Sequence, residues 1–390
     1  MLYIDQTEIA NKQILLRVDF NVALNANNTI ADDARIQQAL PTIKLLLSKG
    51  NKLIIVSHLG RPKVRDVASS LKVVADKLQE YFPDFKVKLI NDFITESSDT
   101  FHNQQPNEIF MLENMRYYPE EKLNDVEFSK KLASLAEMYV NDAFGVCHRA
   151  DASVVGVPKL LPKFGGLLLK KEIEMISKIT QHPEKPVTAI MGGAKISSKL
   201  NLIGKLLESS DHMIIGGGLA NTFFEAQGIE IGKSICQYEE VENARRILYA
   251  AAQKDCVIHL PEDVVVGNKD DTLSAGVVKN IHQLSEDDVI LDIGPETLAK
   301  WGSIINKSKT IVWNGPIGYF ENPIFRRGSD FIYYAITDAQ DATSIVGGGD
   351  TLAVISKKEY LEKITHISTG GGAMLEFIEK GTLPGIEALA

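Results

Sequence analysis

The stretch AIMGGAKISSKLNLIGKLL, Ala189 to Leu207, passes from a short apolar run through two adjacent glycines into a segment with helical spacing. Glycines let a backbone approach a ligand closely, and a helix that starts just after them offers unpaired N–H groups. Lys195 and Lys199 stand four residues apart and are expected on one helix face, where two cations reach neighbouring phosphate oxygens. The spacing is not that of a phosphate loop with two glycines four residues apart before Lys and Ser or Thr. Gly192 and Gly193 are adjacent, and one residue separates them from Lys195. The competing reading is a capped helix with two solvated lysines.

Moving outward, the same device recurs as IGGGLANTF, IVGGGDTLAV and ISTGGGAMLEF, each an apolar run, three glycines and a helical segment. One such run is ordinary turn chemistry; three in one half of a chain indicate a ligand lying against several backbone loops. Short Val- and Ile-rich runs continue in both directions, including ILLRVDFNV, KLIIVSH, EIFMLEN and MYVNDAF, then VTAIMGG, VILDIGP and TIVWNGP. Amphipathic stretches of helical length separate them. Strands buried on both faces and alternating with helices predict parallel sheets built from right-handed crossovers. The expected fold is therefore α/β, with two doubly wound, Rossmann-like parallel-sheet domains joined by a hinge. Leu169, Ile173 and Ile176 predict a helix leading into TQHPEKP, Thr180 to Pro186, where two prolines mark the boundary. The domains are placed at residues 1–180 and 181–379.

A chain of 390 residues exceeds what one core usually supports, in keeping with two domains. The formal net charge of −9 argues against nucleic-acid or anionic membrane partners, which need a basic footprint. The first 185 residues carry as many basic as acidic groups, and the remainder carries the whole acidic excess. No leader-like segment or apolar run of membrane-spanning length stands in the sequence, so a cytoplasmic protein is expected. Cys147, Cys236 and Cys256 are scattered without metal-ligand spacing and read as reduced packing residues.

Ligands of open α/β sheets bind beyond the carboxyl ends of the strands, and the unusual clusters of this chain fall there. In the first half these are Asp19 and Asn21, Arg35, His58 and Arg61, Arg116, and His148 with Arg149. An arginine fork donates two parallel hydrogen bonds and stays charged, so several together suit a small, doubly anionic substrate. His148 reads as structural. In the second half, Asp350 follows a glycine run, where a carboxylate repels phosphate unless a cation such as Mg2+ intervenes; the plainer role is a helix N-cap. Asn314 and Glu321 stand in VWNGPIGYFE, and Glu321 reads either as an acceptor for a ribose or as a solvated loop residue. With no Ser-His-Asp order, nucleophile elbow or activated Cys, the parts present are positioning groups and cations, which direct phosphoryl transfer requires.

The motifs RVDFNV, SHLGRP, LENMRYYPEE, NDAFGVCHRADAS, GGAKISSK, GGGLANTF, LPEDVVV, DIGPET, VWNGPIGYFE, SIVGGGDT, STGGGAMLE and LPGIEAL resemble those of the phosphoglycerate kinases, in that family's order and over nearly the whole chain. The resemblance implies reversible phosphoryl transfer from 1,3-bisphosphoglycerate to ADP, giving 3-phosphoglycerate and ATP, with Mg2+ bound alongside the nucleotide. It implies a 3-phosphoglycerate site of Asp19, Asn21, Arg35, His58, Arg61, Arg116 and Arg149, with Arg35 nearest the transferring group. It implies a nucleotide site of Lys195, Lys199, Gly294, Asn314, Glu321, Gly348, Gly349, Asp350 and Thr351, with Asp350 toward the metal. Arg35, Lys195 and Lys199 are the expected catalytic groups, the domains are expected to close during turnover, and the chain is expected to be a monomer. Residues 380–390 resemble the family's tail that returns to the first domain. Three positions depart from the pattern: Ala23 where Pro is usual, Cys147 where a small or hydroxyl residue is common, and Asp151 where His is frequent. Two other classes fit less well. A periplasmic-type binding protein does not explain paired lysines beside glycine loops, and a dinucleotide oxidoreductase needs glycines that RVDFNVALNANN lacks.

Overall fold

A computed structural model of the chain describes residues 1–355 and 359–390. It divides into two compact units, Met1–Glu174 with Thr382–Ala390, and Met175–Gly381. The division falls inside the helix Leu167–Gln181, whereas the sequence reading placed a boundary at that helix's C-terminal end. A continuous helix carries no Pro or Gly to mark such a point.

In the first unit, six parallel strands lie in the order Lys86–Ile90, Glu108–Leu112, Lys52–Val56, Gln13–Arg17, Met138–Asn141 and Lys163–Gly165. Ile14, Leu16, Leu53, Ile55, Ile109 and Met111 share one core with Ile36, Ala39 and Ile43 of the helix Ala34–Ser48 and with Val74 and Leu78 of Lys72–Tyr81. Those helix positions recur at three- and four-residue intervals, so each helix turns one apolar stripe onto the sheet. From the strand Gln13–Arg17 the chain proceeds to one side, and after Glu108–Leu112 it crosses to the other. The order thus reverses between Gln13–Arg17 and Met138–Asn141, which is where such sheets open a crevice. In the C-terminal segment, Gly385 donates its N–H to Cys147 O at 2.8 Å and has no room for a Cβ beside Cys147 and Val154.

The second unit has six parallel strands in the order Val257–His259, His212–Ile215, Val187–Met191, Thr310–Asn314, Thr343–Gly347 and His366–Ile367. Every residue of Val187–Met191 and Thr310–Asn314 is buried, and the order reverses between these two strands. Trp301, Trp313, Ile332 and Tyr333 pack in the core on one side of this sheet. A separate antiparallel sheet holds Val277–Asn280, Asp263–Val266 and Ile290–Ile293 in that order. The run VILDIGP, read from sequence as a strand of the parallel sheet, is the last of these. A short buried strand of four residues does not specify the direction of its partner, which explains the error. Among the described residues no helix is long and apolar enough to cross a membrane.

Candidate functional site

The first unit gathers its polar groups at the carboxyl ends of four neighbouring strands. Asp19 and Asn21 follow Gln13–Arg17, His58 follows Lys52–Val56, Arg116 follows Glu108–Leu112, and Arg149 follows Met138–Asn141. Asp19 Oδ2 pairs with Arg35 Nη1, and Asp19 Oδ1 lies 3.9 Å from His58 Nδ1. Burial works to raise the Asp19 carboxyl, but Arg35, His58 and Arg17 outweigh it and draw the group down to about 2. His58 is buried among cations. Burial drives it well below its ordinary value, with Asp19 opposing and Arg17, Arg116 and Arg35 adding to the fall, so the imidazole is neutral near pH 7. Asn21 Oδ1 accepts the Gly60 N–H at 2.8 Å, and Arg116 Nη1 donates to Gly60 O. Gly60 has φ +64°, so a left-handed turn clasped from both sides presents the exposed Arg61.

Arg116 is the electrostatic anomaly of this cluster. Burial, and then the like charges of Arg149 and Arg17, lower it to about 10, while Asp151 and Asp19 only partly compensate. Arg149 Nε is buried and makes no hydrogen bond. Cations that repel one another around an unsatisfied donor define a place where an anion is favourable. His148 is half-buried in the turn before Arg149. Cys147 is fully buried, and burial pushes its thiol up to about 12, which fits the packing role and not a reactive one.

In the second unit the sequence expectation for the lysines needs correction. The helix begins only at Leu200, so Lys195 and Lys199 do not share a helix face; they stand in a loop of turns, with Lys199 at the N-cap. Gly193, at φ +103°, turns the chain back. The amides of the glycine pair are already used, Gly192 N donating to Asn314 O and Gly193 N to Pro316 O. Ser197 N is likewise held, by the side chain of Gln237 at 3.0 Å. Lys195 is exposed, whereas Lys199 Nζ donates to Gly192 O at 2.7 Å, Asn314 O at 3.1 Å and Asn314 Oδ1 at 2.5 Å. Burial lowers Lys199 to about 8, against the pull of Asp350. Its ammonium therefore ties together the two strand ends at the reversal of the sheet.

Asn314 Nδ2 donates to Gly347 O at 2.8 Å, and Thr351 Oγ1 accepts the Gly315 N–H at 2.7 Å. Gly348 stands at φ +105° against the Asn314 amide, and Gly349 opens the helix Gly349–Ile355. Asp350 lies in the first turn of that helix and not before it, so it is not the N-cap that the plainer sequence reading proposed. The expected continuation of this helix through residues 356–358 lies outside the described residues. Asp350 and Glu321 border a cavity of about 240 Å³ walled by Gly193, Gly217, Gly218, Phe224, Ile235 and Ile317. Of the three repeated glycine runs, one borders it through Gly217 and Gly218, and a second only through Asp350, which follows it. Gly294 is placed differently: it caps the helix Pro295–Lys307, its missing Cβ makes room for the Asp263 carboxylate, and the preceding strand residues Ile290, Leu291, Asp292 and Ile293 line the cavity in its place.

Sequence reasoning missed Asn221, a cavity residue whose Nδ2 donates to Ile235 O at 3.0 Å while its buried Oδ1 makes no hydrogen bond. An amide inside the apolar helix Gly218–Ala226 was the available signal. It also missed Arg17, Glu121 and Ser153, which are buried beneath the arginine cluster. Among the described residues no group of three or more His, Cys, Asp or Glu side chains forms a metal cage.

A model of the phosphoglycerate kinase family matches residues 4–381. The phosphoglycerate kinase of Dictyoglomus turgidum is 46% identical over 383 residues, covering 98% of this chain and 96% of that protein. That of Moorella thermoacetica is 44% identical over 391 residues, covering 100% and 98%. Among solved structures, the phosphoglycerate kinase of Coxiella burnetii superposes with a TM-score of 0.89 at 38% identity, covering 100% of this chain and 98% of that one. The Pyrococcus horikoshii enzyme gives 0.87 at 32% identity, with the same coverage of both chains. With the family model matching nearly end to end and these relatives aligned over almost their full length, the chain belongs to the phosphoglycerate kinase family.

Proposed function

We propose that the chain catalyses the reversible, direct transfer of a phosphoryl group from 1,3-bisphosphoglycerate to ADP, yielding 3-phosphoglycerate and ATP. In this reading the first unit binds the phosphoglycerate and the second binds the nucleotide. The observation that carries it is the arginine cluster around Arg116 and Arg149, which has more cationic charge than its carboxylates neutralise. A substrate bearing phosphate and carboxylate groups supplies the missing charge, and the planar guanidinium forks match both. Asp19 holds Arg35 from behind, and Asn21 holds the turn that presents Arg61.

The cavity of the second unit suits a nucleoside, with apolar walls for a base, Asn221 as a buried polar contact and Glu321 at the rim for a ribose. The turns at Gly193 and Gly348 give phosphates close access to backbone. Asp350 fits a Mg2+ ion: it is one exposed carboxylate beside a glycine turn, and Mg2+ is usually held by one or two carboxylates together with waters and phosphate oxygens. When bound, the ion neutralises phosphate charge. Lys195 and Arg35 are assigned to the moving phosphoryl group, and Lys199 to fixing the loops behind it. No side chain is asked to form a covalent intermediate; rate comes from alignment and preorganised charge. We place the protein in the cytoplasm as a monomer. Calorimetric titration tests the division of ligands: Arg149→Ala should lose 3-phosphoglycerate affinity and keep ADP affinity, and equal losses for both would refute it.

A further inference from the structure

Beneath the arginine cluster runs a buried polar chain with no assigned role. Arg17, Glu121 and Ser153 are each 1% exposed or less. The Ser153 hydroxyl donates to Glu121 Oε1 at 2.5 Å and accepts from Arg17 Nε at 2.9 Å, while the Ser153 N–H donates to Glu121 Oε2 at 2.9 Å. A π-helical turn, Ala152–Gly156, closed by the Val157 N–H on Ala152 O, supplies both Ser153 groups to the same carboxylate. Arg17 Nη1 is committed to the carbonyls of Val18 and Val56, and Nη2 lies 3.4 Å from His58 Nδ1. Each guanidinium nitrogen of Arg17 thus has a partner within the protein.

A guanidinium can only donate, so His58 Nδ1 must accept and its ring proton must sit on Nε2. We propose that Glu121 and Ser153 are positioning residues of the anion site, holding the Arg17 guanidinium so that it fixes the tautomer and orientation of His58 beside Asp19. This role rests on the phosphoglycerate-site reading given above. Asp19 in turn holds Arg35, so the chain reaches from a buried acid to a group assigned to the transferring phosphoryl. Burial raises Glu121 to about 7, and Arg17 and the Ser153 hydrogen bonds work against that rise by favouring the carboxylate.

The test uses the full-length protein without substrate first. Long-range proton–nitrogen NMR of the His58 imidazole, at a fixed mildly alkaline pH, should show the Nε2–H tautomer alone in the wild type. In Ser153→Ala, which removes the hydroxyl linking Arg17 to Glu121, the Nδ1–H tautomer should become populated. Steady-state assays of the same variant should show KM for 3-phosphoglycerate raised about tenfold, the expected loss for one charge-assisted hydrogen bond, with KM for the nucleotide unchanged. Glu121→Gln keeps the volume but replaces one of two acceptors with a donor, so it should give the same pattern; it carries the test if Ser153→Ala fails to fold. An unchanged His58 signature in a folded variant overturns the proposal whatever happens to KM. Absence of turnover in the wild type would instead refute the functional reading, and the NMR result would still judge the positioning role.

Discussion

Lys195 and Lys199 have the same charge and opposite situations. Lys199 spends its three donors on Gly192 O and the two Asn314 oxygens, whereas Lys195 is exposed. Lys195→Ala should therefore lower kcat by about 100- to 1000-fold, as removal of one preorganised transition-state donor does, without shifting the melting temperature. Lys199→Ala leaves buried acceptors unpaired and should cost about 1–3 kcal/mol of stability, visible in denaturant titration. An unchanged kcat in the first, or unchanged stability in the second, would contradict these roles. Arg149→Ala should weaken 3-phosphoglycerate binding about 10- to 100-fold by calorimetry, since it removes charge-assisted hydrogen bonds. The exposed and half-buried arginines were legible in the sequence because, although any one of them reads as a surface ion-pair partner, several at the strand ends of one sheet suit an anion better. Arg17 was not, because ILLRV reads as strand interior and its partner Ser153 lies 136 positions away.

At the scale of elements, carboxylates at strand ends cap helices that begin far away in sequence. Asp142 Oδ1 accepts from Leu168 N and Leu169 N at the start of Leu167–Gln181, and Asp292 accepts from Gly328 N near the start of Arg327–Asp338. Burial raises Asp142 to about 6 and Asp292 to about 7, against these hydrogen bonds. A carboxyl raised in the folded state binds its proton more tightly there than in the unfolded chain. Its stabilising contribution is full below the unfolded value of about 4 and is lost as pH rises through 6 to 7. The difference in melting temperature between pH 5 and pH 8 should therefore shrink in Asp292→Asn relative to the wild type; an equal difference would mean that Asp292 does not titrate in this window. The glycine loops give a second contrast. A Cβ on Gly192 would collide with the carbonyls of Gly315 and Pro316, so Gly192→Ala should destabilise by about 1–3 kcal/mol. Gly349 has nothing within 4 Å of its would-be Cβ, so Gly349→Ala should leave stability intact and weaken only nucleotide binding. Strands such as Val187–Met191 were legible because both faces are apolar. Lys86–Ile90, with only Ile90 fully buried, was missed because alternating lysines mask it. The lysine pair was misread because equal spacing predicts a shared face only where a helix has already begun, and here the glycine turn delays it to Leu200.

For the whole molecule, the order of the motifs gave away both parallel sheets and the family, since each motif marks one strand end. Pairing directions and buried networks depend on contacts between distant segments, and only the folded chain displays them. The two units divide the chemistry: an arginine cluster short of counter-charge in one, a cavity with glycine turns, Lys199 and Asp350 in the other. Direct transfer without a covalent intermediate requires both ligands on the same molecule at once. The most direct test is a coupled assay of the purified chain, following ATP formation from 1,3-bisphosphoglycerate and ADP with Mg2+ present. The account predicts turnover that needs both substrates and falls about 100- to 1000-fold in Lys195→Ala. A preparation that is folded and binds 3-phosphoglycerate and ADP, yet forms no ATP, would contradict it.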